Sequence, residues 1–269
     1  MANEKYIPSK EAEAILNGYR LLDDNFMTLF FDQNYEATAL VLNIILKRTD
    51  IQIKRMEVQK VEKNASPDGR DVIMDIFAVD STGKNYDIEV QRADKGAGRK
   101  RARILSGVLD SRILKKGVDF EKADESYVIF ITENDVLGGG LPIYTVNRHI
   151  EELDYEDFAD GNHIVYVNGA YKNDASDIGK LMHDFRCTSS VDMFYDVLKQ
   201  GMHHFKETEG GRATVCKAIE TYGEQKEMMG VVKLGKSLKW TDDQIISQLI
   251  ELYNISKEAA KKLLEPTVA

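Results

Sequence analysis

The stretch 71–91, DVIMDIFAVDSTGKNYDIEVQ, carries the residues best suited to chemistry. Its first half, 72–79, is apolar at nearly every position except Asp75, the pattern of a strand covered on both faces. A lone carboxylate in such a strand is costly to bury. The second half, 85–91, alternates, with Tyr86, Ile88 and Val90 on one face and Asp87, Glu89 and Gln91 on the other. A loop of Ser81, Thr82 and Gly83, with Gly83 in the left-handed conformation, pairs Asp80 with Lys84. Counting inward from that pair sets Asp75 opposite Glu89 on one face. Facing carboxylates destabilise a sheet, so this register calls for positive charge between them. Hard carboxylate oxygens suit Mg2+ or Mn2+, an ion that polarises phosphoryl oxygens and activates water. Gln91 adds a neutral amide two positions on.

The elements around this hairpin bear on what it acts upon. Positions 92–116 hold nine basic residues (Arg92, Lys95, Arg99, Lys100, Arg101, Arg103, Arg112, Lys115, Lys116) and two acidic ones, Asp94 and Asp110. That stretch is +7, so the remainder sums to −16 within a chain of net charge −9. A basic island on an acidic chain reads either as a solvated helix face or as a phosphate-binding one. The DKGAGRK segment lacks the spacing and terminal Ser or Thr of a nucleotide-binding loop.

Before the hairpin, helical character runs over 9–31 with a break near 17–18, then over 36–47. Leu22, Phe26, Leu29 and Phe30 form an apolar stripe, and Asp23 flanks it either as an N-cap or as an acid reaching a neighbouring site. A strand over 51–61 precedes the hairpin, with a polar connection at 63–70. After it come a helix at 99–116, a central strand at 126–132, an edge strand at 143–150 and a last strand at 163–168. Helices follow at 177–185, 191–205, 211–236 (interrupted by glycines), 241–253 and 256–264, the last two opened by the capping signals TDDQ and SKEA. The order is that of a mixed α/β core. Residues 1–206 are expected to form it, and 207–269 an all-helical appendage that reads either as a helix-turn-helix or as a helical pair used for self-association.

No apolar run approaches the roughly 18–20 residues of a membrane span, and the N-terminal MANEKYIPSK lacks a signal-peptide core, so a cytoplasmic protein is expected. Cys187 and Cys216 lack metal-type spacing and read as reduced thiols. His183 and Cys187 lie four apart without a second ligand pair, and His203 and His204 read as basic residues complementing a helix C-terminus.

Taken together, LLDDNFMTLFF, MDIFAVDSTGKNYDIEVQ, RADKGAGRKRAR, SYVIFITENDV, HIVYVNGAY and LMHDF resemble the PD-(D/E)XK nuclease superfamily in its E-x-Q variant. More specifically, about residues 20–190 resemble the bacterial PD-(D/E)XK nuclease family transposases, related to recombination-promoting nucleases. The resemblance implies a restriction-endonuclease-like mixed central sheet flanked by helices. It also implies Mg2+ or Mn2+ held by Asp75 and Glu89, with the Val90 carbonyl as a further ligand and Asp23 acting through water. Gln91 stands where many superfamily members carry lysine; it is expected to position the attacking water, with Lys95 or Arg99 supplying the missing charge. The implied activity is hydrolytic DNA cleavage in a mobile-element or recombination setting, with Lys95, Arg99, Lys100, Arg101 and Arg103 on DNA phosphates. The alternatives are a catalytically silent nucleic-acid binder and an interaction protein assembling through its C-terminal helices.

Overall fold

A computed structural model describes residues 6–63, 71–92, 94–113 and 116–264 of the chain. Three helices open it: α1 (Lys10–Gly18), α2 (Asp24–Phe31) and α3 (Tyr35–Ile45). Ser9 caps α1 through the Ala12 N–H, and Asn34 caps α3 through the Ala37 N–H, satisfying donors that a helix start leaves unpaired. Next come β1 (Ile53–Glu62), β2 (Val72–Asp80), β3 (Asn85–Gln91), α4 (Arg99–Ile113) and β4 (Ser126–Thr132). Strands β5 (Ile143–Val146), β6 (His149–Ile150), β7 (Glu156–Asp157) and β8 (Asn162–Asn168) follow. The chain closes with α5 (Asp177–Arg186), α6 (Asp196–Glu207), α7 (Glu209–Ser237), α8 (Asp242–Tyr253) and α9 (Lys257–Lys262).

Six strands make one mixed sheet in the order β1-β2-β3-β4-β8-β5. The first three pair antiparallel, β3-β4-β8 run parallel, and β5 returns antiparallel at the edge. The apolar run of β4 is thereby explained, since both its neighbours and both its faces are covered. Ile129 and Ile131 face one core with Phe26, Phe30, Phe31 and Phe185 from the helices, whereas Val128 and Phe130 face a second core under α4. Each such fully buried side chain contributes about 1.5–3 kcal/mol relative to exposure. The mixed sheet with flanking helices and a C-terminal helical region is the architecture expected from the sequence and is consistent with a PD-(D/E)XK fold.

Three elements depart from expectation. The edge strand stops at Val146, and His149–Ile150 leaves the sheet to pair with Glu156–Asp157. The helix expected at 191–205 begins only at Asp196, because the buried Asp184 carboxylate accepts the N–H groups of Phe194 and Tyr195 and holds them outside the helix. The glycines of α7 do not interrupt it. A Cβ on Gly211 would stand 2.0 Å from the His204 carbonyl, and one on Gly235 2.7 Å from Ile245, so both are glycines for close approach.

Helix α7 also links two cores. Val215 and Cys216 near its start belong to the main core, whereas Val232 near its end packs with Ile245, Ile246, Leu249 and Ala260 of α8 and α9. Tyr6 and Ser9 bond Glu220, and Arg212 pairs Glu13, tying the first half of α7 to the N-terminal segment. Thr241 and Gln244 form the reciprocal cap at the start of α8.

Candidate active site

The β2–β3 hairpin is closed at one end and opens at the other. At the turn Gly83 has φ 97°, and the Asp80 N–H donates to the Lys84 carbonyl at 3.1 Å, the expected register. Pairs continue to Ile76↔Ile88, so the next step sets Asp75 against Glu89. There side chains replace backbone pairing. The Asp75 N–H donates to Glu89 Oε1 at 3.3 Å, and the Val90 N–H donates to Asp75 Oδ2 at 3.0 Å. The two strands part around their own carboxylates.

The neighbouring strand deforms at the same point. Val58 pairs with Ile76 and Lys60 with Met74, which leaves Gln59 beside Asp75 with φ 50°. A left-handed glutamine inside a strand costs on the order of 1–2 kcal/mol. It also switches faces: Val58 and Ile76 belong to the helical core, while Met74 lies in the core under α4 and Lys60 stands over the Phe77 ring. Gln59 Nε2 then lies 3.5 Å from Asp75 Oδ1.

Three acids crowd this face. Glu89 and Asp87 are 0% exposed and Asp75 9%. Burial, followed by the Glu89 charge, pushes the Asp75 carboxyl up to about 8. Burial raises Glu89 as well, opposed by Arg101. Asp87 is pushed well above the carboxylate range by burial and then by Glu89 and Asp75, and among the described residues neither of its oxygens has a hydrogen-bond partner.

A cleft of about 750 Å³ opens on Asp75, its lining also including Asp24, Gln59, Gln91, Arg92 and Arg101, while Glu89 and Asp87 lie buried outside that lining. Gln91 donates to Glu89 Oε2 at 3.2 Å, and its Oε1 lies where a Cβ on Gly96 would stand, 1.9 Å away. Only glycine at 96 lets the amide lie there. Arg101, from the first turns of α4, reaches the same Glu89 oxygen at 2.5 Å.

Asp23 precedes α2 without a side-chain capping bond, so its N-cap role is not taken up by the carboxylate. It accepts from Arg92 Nη1 at 2.6 Å and from the Arg20 N–H at 2.7 Å instead. Glu133, just after β4, pairs with Arg20 at 2.8 Å and with Arg92 at 3.4 Å. Lys206 supports this corner from below, donating to the carbonyls of Asn17, Tyr19 and Thr188. The acid of this corner that lines the cleft is Asp24.

Of the cations read as phosphate contacts, Arg99, Lys100, Arg101 and Arg103 are exposed on α4, and the side chain of Lys95 lies outside the described residues. Arg101 alone of those four lines the cleft, and Arg99 borders a separate cavity with Leu137, Val146 and Tyr166. Sequence reasoning missed Gln59, Asp24, Asp87 and the Arg101–Glu89 pair. One signal was present: the apolar spacing widens from two to three between Val58 and Val61, the mark of a strand irregularity.

The description PD-(D/E)XK nuclease family transposase matches residues 21–193 of the chain. The chain belongs to that family. No curated protein and no solved structure matches it. Membership in the PD-(D/E)XK nuclease transposases supports a nuclease-type hydrolase with a nuclease- or transposase-related function, and PD-(D/E)XK nucleases generally use a divalent metal. The donor set fits such an ion, for Asp75 on the cleft lining and the buried Glu89 opposite it on β3 are two carboxylates that repel each other. A second group of ligand types, His183, Asp184 and Cys187, has atoms within 4.8 Å of one another. There Asp184 is taken by two backbone N–H groups, and burial pushes the Cys187 thiol up to about 11, away from the thiolate a metal needs. No described helix is long and apolar enough to cross a membrane.

Proposed function

We propose that this protein is a Mg2+- or Mn2+-dependent DNA endonuclease that hydrolyses phosphodiester bonds in the cleft at the open end of the β2–β3 hairpin. The observation that carries this reading is the pairing of Asp75, which lines a cleft rimmed by Arg92 and Arg101, with the buried Glu89 opposite it on β3, which Arg101 reaches from the cleft lining. Asp75 and Glu89 would hold the cation, which when bound supplies charge stabilisation at phosphorus and a more acidic water. Gln91, held by Glu89 and given room by Gly96, orients the attacking water through its amide. Arg92, anchored by Asp23 and Glu133, presents a guanidinium at the rim for a phosphate oxygen. In this reading Asp23 is a positioning residue. The exposed Arg99, Lys100 and Arg103 track neighbouring phosphates, so DNA binding weakens with salt.

The test is plasmid cleavage with Mg2+ or Mn2+ by wild type, Asp75→Ala and Glu89→Ala. Cleavage that survives both substitutions removes the site assignment. The Arg101–Glu89 pair favours a second reading, a catalytically silent DNA binder whose acid site is already neutralised. That reading expects salt-sensitive DNA binding, unchanged in Asp75→Ala, and no cutting with any metal.

A cytoplasmic, mobile-element or recombination setting is part of this proposal, as is the division into 1–206 and 207–269. Self-association through the C-terminal helices is proposed on the separate core of α8 and α9 and on the exposed Leu234 of α7 and Leu238 at its C-terminal cap. Light scattering of the whole chain and of Leu234→Glu/Leu238→Glu tests it, because truncation after 206 would strip Val215 and Cys216 from the main core.

A further inference from the structure

The last residue of β3, Gln91, carries no charge, and it is α4 that brings a cation onto Glu89. Arg101 Nη2 lies 2.5 Å from Glu89 Oε2, while Glu89 Oε1 accepts the Asp75 N–H. The guanidinium therefore shares Oε2 with the Gln91 amide, while Oε1 is taken by the strand pair. Its own side chain is 42% exposed and lines the cleft, so it has room to turn. Arg92 has no such freedom, being engaged by both Asp23 and Glu133.

We propose that Arg101 competes with the divalent cation for Glu89 and, once displaced, turns within the cleft to bind the phosphate of the substrate. This rests on the reading of Asp75 and Glu89 as the cation site. A dication and a guanidinium on one carboxylate repel each other strongly at such separations, so the two occupants exclude one another. The exchange is chemically even for arginine, which leaves one planar oxyanion for another and meets both through its donor fork. The cation thus both fills its site and releases the residue that grips the substrate. Arg101 contributes from a helix the charge that the strand position of Gln91 lacks.

The experiment compares Mn2+ affinity, read from the electron paramagnetic resonance of free Mn2+ without DNA, in wild type, Arg101→Gln, Arg101→Met and Asp75→Asn. Circular dichroism verifies folding, and the two neutral replacements guard against one of them failing to fold. Removing the rival should tighten Mn2+ binding roughly three- to tenfold. At saturating Mn2+ the same variants should cleave plasmid at least about tenfold more slowly, having lost a phosphate contact. A merely structural arginine would lower both quantities. Mn2+ affinity that is unchanged or weaker in the neutral variants overturns the competition. Wild-type cleavage by those variants at saturating Mn2+ overturns the phosphate contact. If wild type and Asp75→Asn bind Mn2+ alike, the cation site itself is misassigned, a failure distinguishable from the other two.

Discussion

Asp80 and Asp75 sit five residues apart on one strand, both buried, and the hairpin treats them in opposite ways. Asp80, at the closed end, accepts from the Thr82 N–H and hydroxyl, the Lys84 N–H and the Tyr86 hydroxyl at 2.7–3.1 Å. Burial pushes its carboxyl up, but those donors outweigh burial and hold it below the usual range. Asp75, at the open end, has one firm donor among the described residues, Val90 N–H, and a second carboxylate across the strand gap. One acid is built into the turn as structure. The other is kept short of partners, as a group that must still bind something has to be.

That contrast can be broken in order of expected effect. Asp75→Asn and Glu89→Gln keep the shape of the site and remove its charge, so plasmid cleavage should fall by roughly 10²–10³-fold or more, with thermal unfolding unchanged or raised. Asp80→Ala should do the reverse. Leaving Tyr86 and two N–H groups without their acceptor should cost about 2–4 kcal/mol in urea unfolding, while cleavage by the folded fraction is retained.

Asp87 tests the same idea from behind the site. With both oxygens buried and unpartnered among the described residues, Asp87→Leu should stabilise the fold by about 1–3 kcal/mol in urea midpoints. A loss of stability instead would mean that its oxygens do find partners.

The pH dependence follows from the raised Asp75 carboxyl. The unfolded chain releases this proton near the ordinary value of 3.8, but the fold keeps it until about 8. The native state binds more protons across that window, so the metal-free contribution of Asp75 falls as pH rises through it. Asp75→Asn should therefore gain stability relative to wild type from about pH 4 to about pH 8, and Mn2+ should shrink the difference. Equal stabilities at both ends would remove the raised carboxyl from the account. The smallest effect is expected from Gly96→Ala. Its methyl group displaces the Gln91 amide, a flexible group that can move, so stability should hold while cleavage drops severalfold.

Much of this was legible beforehand because the hairpin is a local object. The period of two in 85–91, the glycine at 83 and the lone acid in an apolar run suffice for the register that puts Asp75 against Glu89. The succession of strands along the chain and the capping of α8 were legible for the same reason, each being written in a few adjacent residues. The deformation of β1 at Gln59 was not, since it answers a carboxylate on another strand.

The sequence by itself determined that two acids share one face of a hairpin and that a basic helix follows them. Only the tertiary structure decided which cation meets Glu89, which member of the Asp23–Asp24 pair lines the cleft, and where Gln91 rests. Those choices depend on how α2 and α4 are packed against the sheet. No periodicity along the chain encodes the angle or depth of that packing, which side chains distant in sequence settle together.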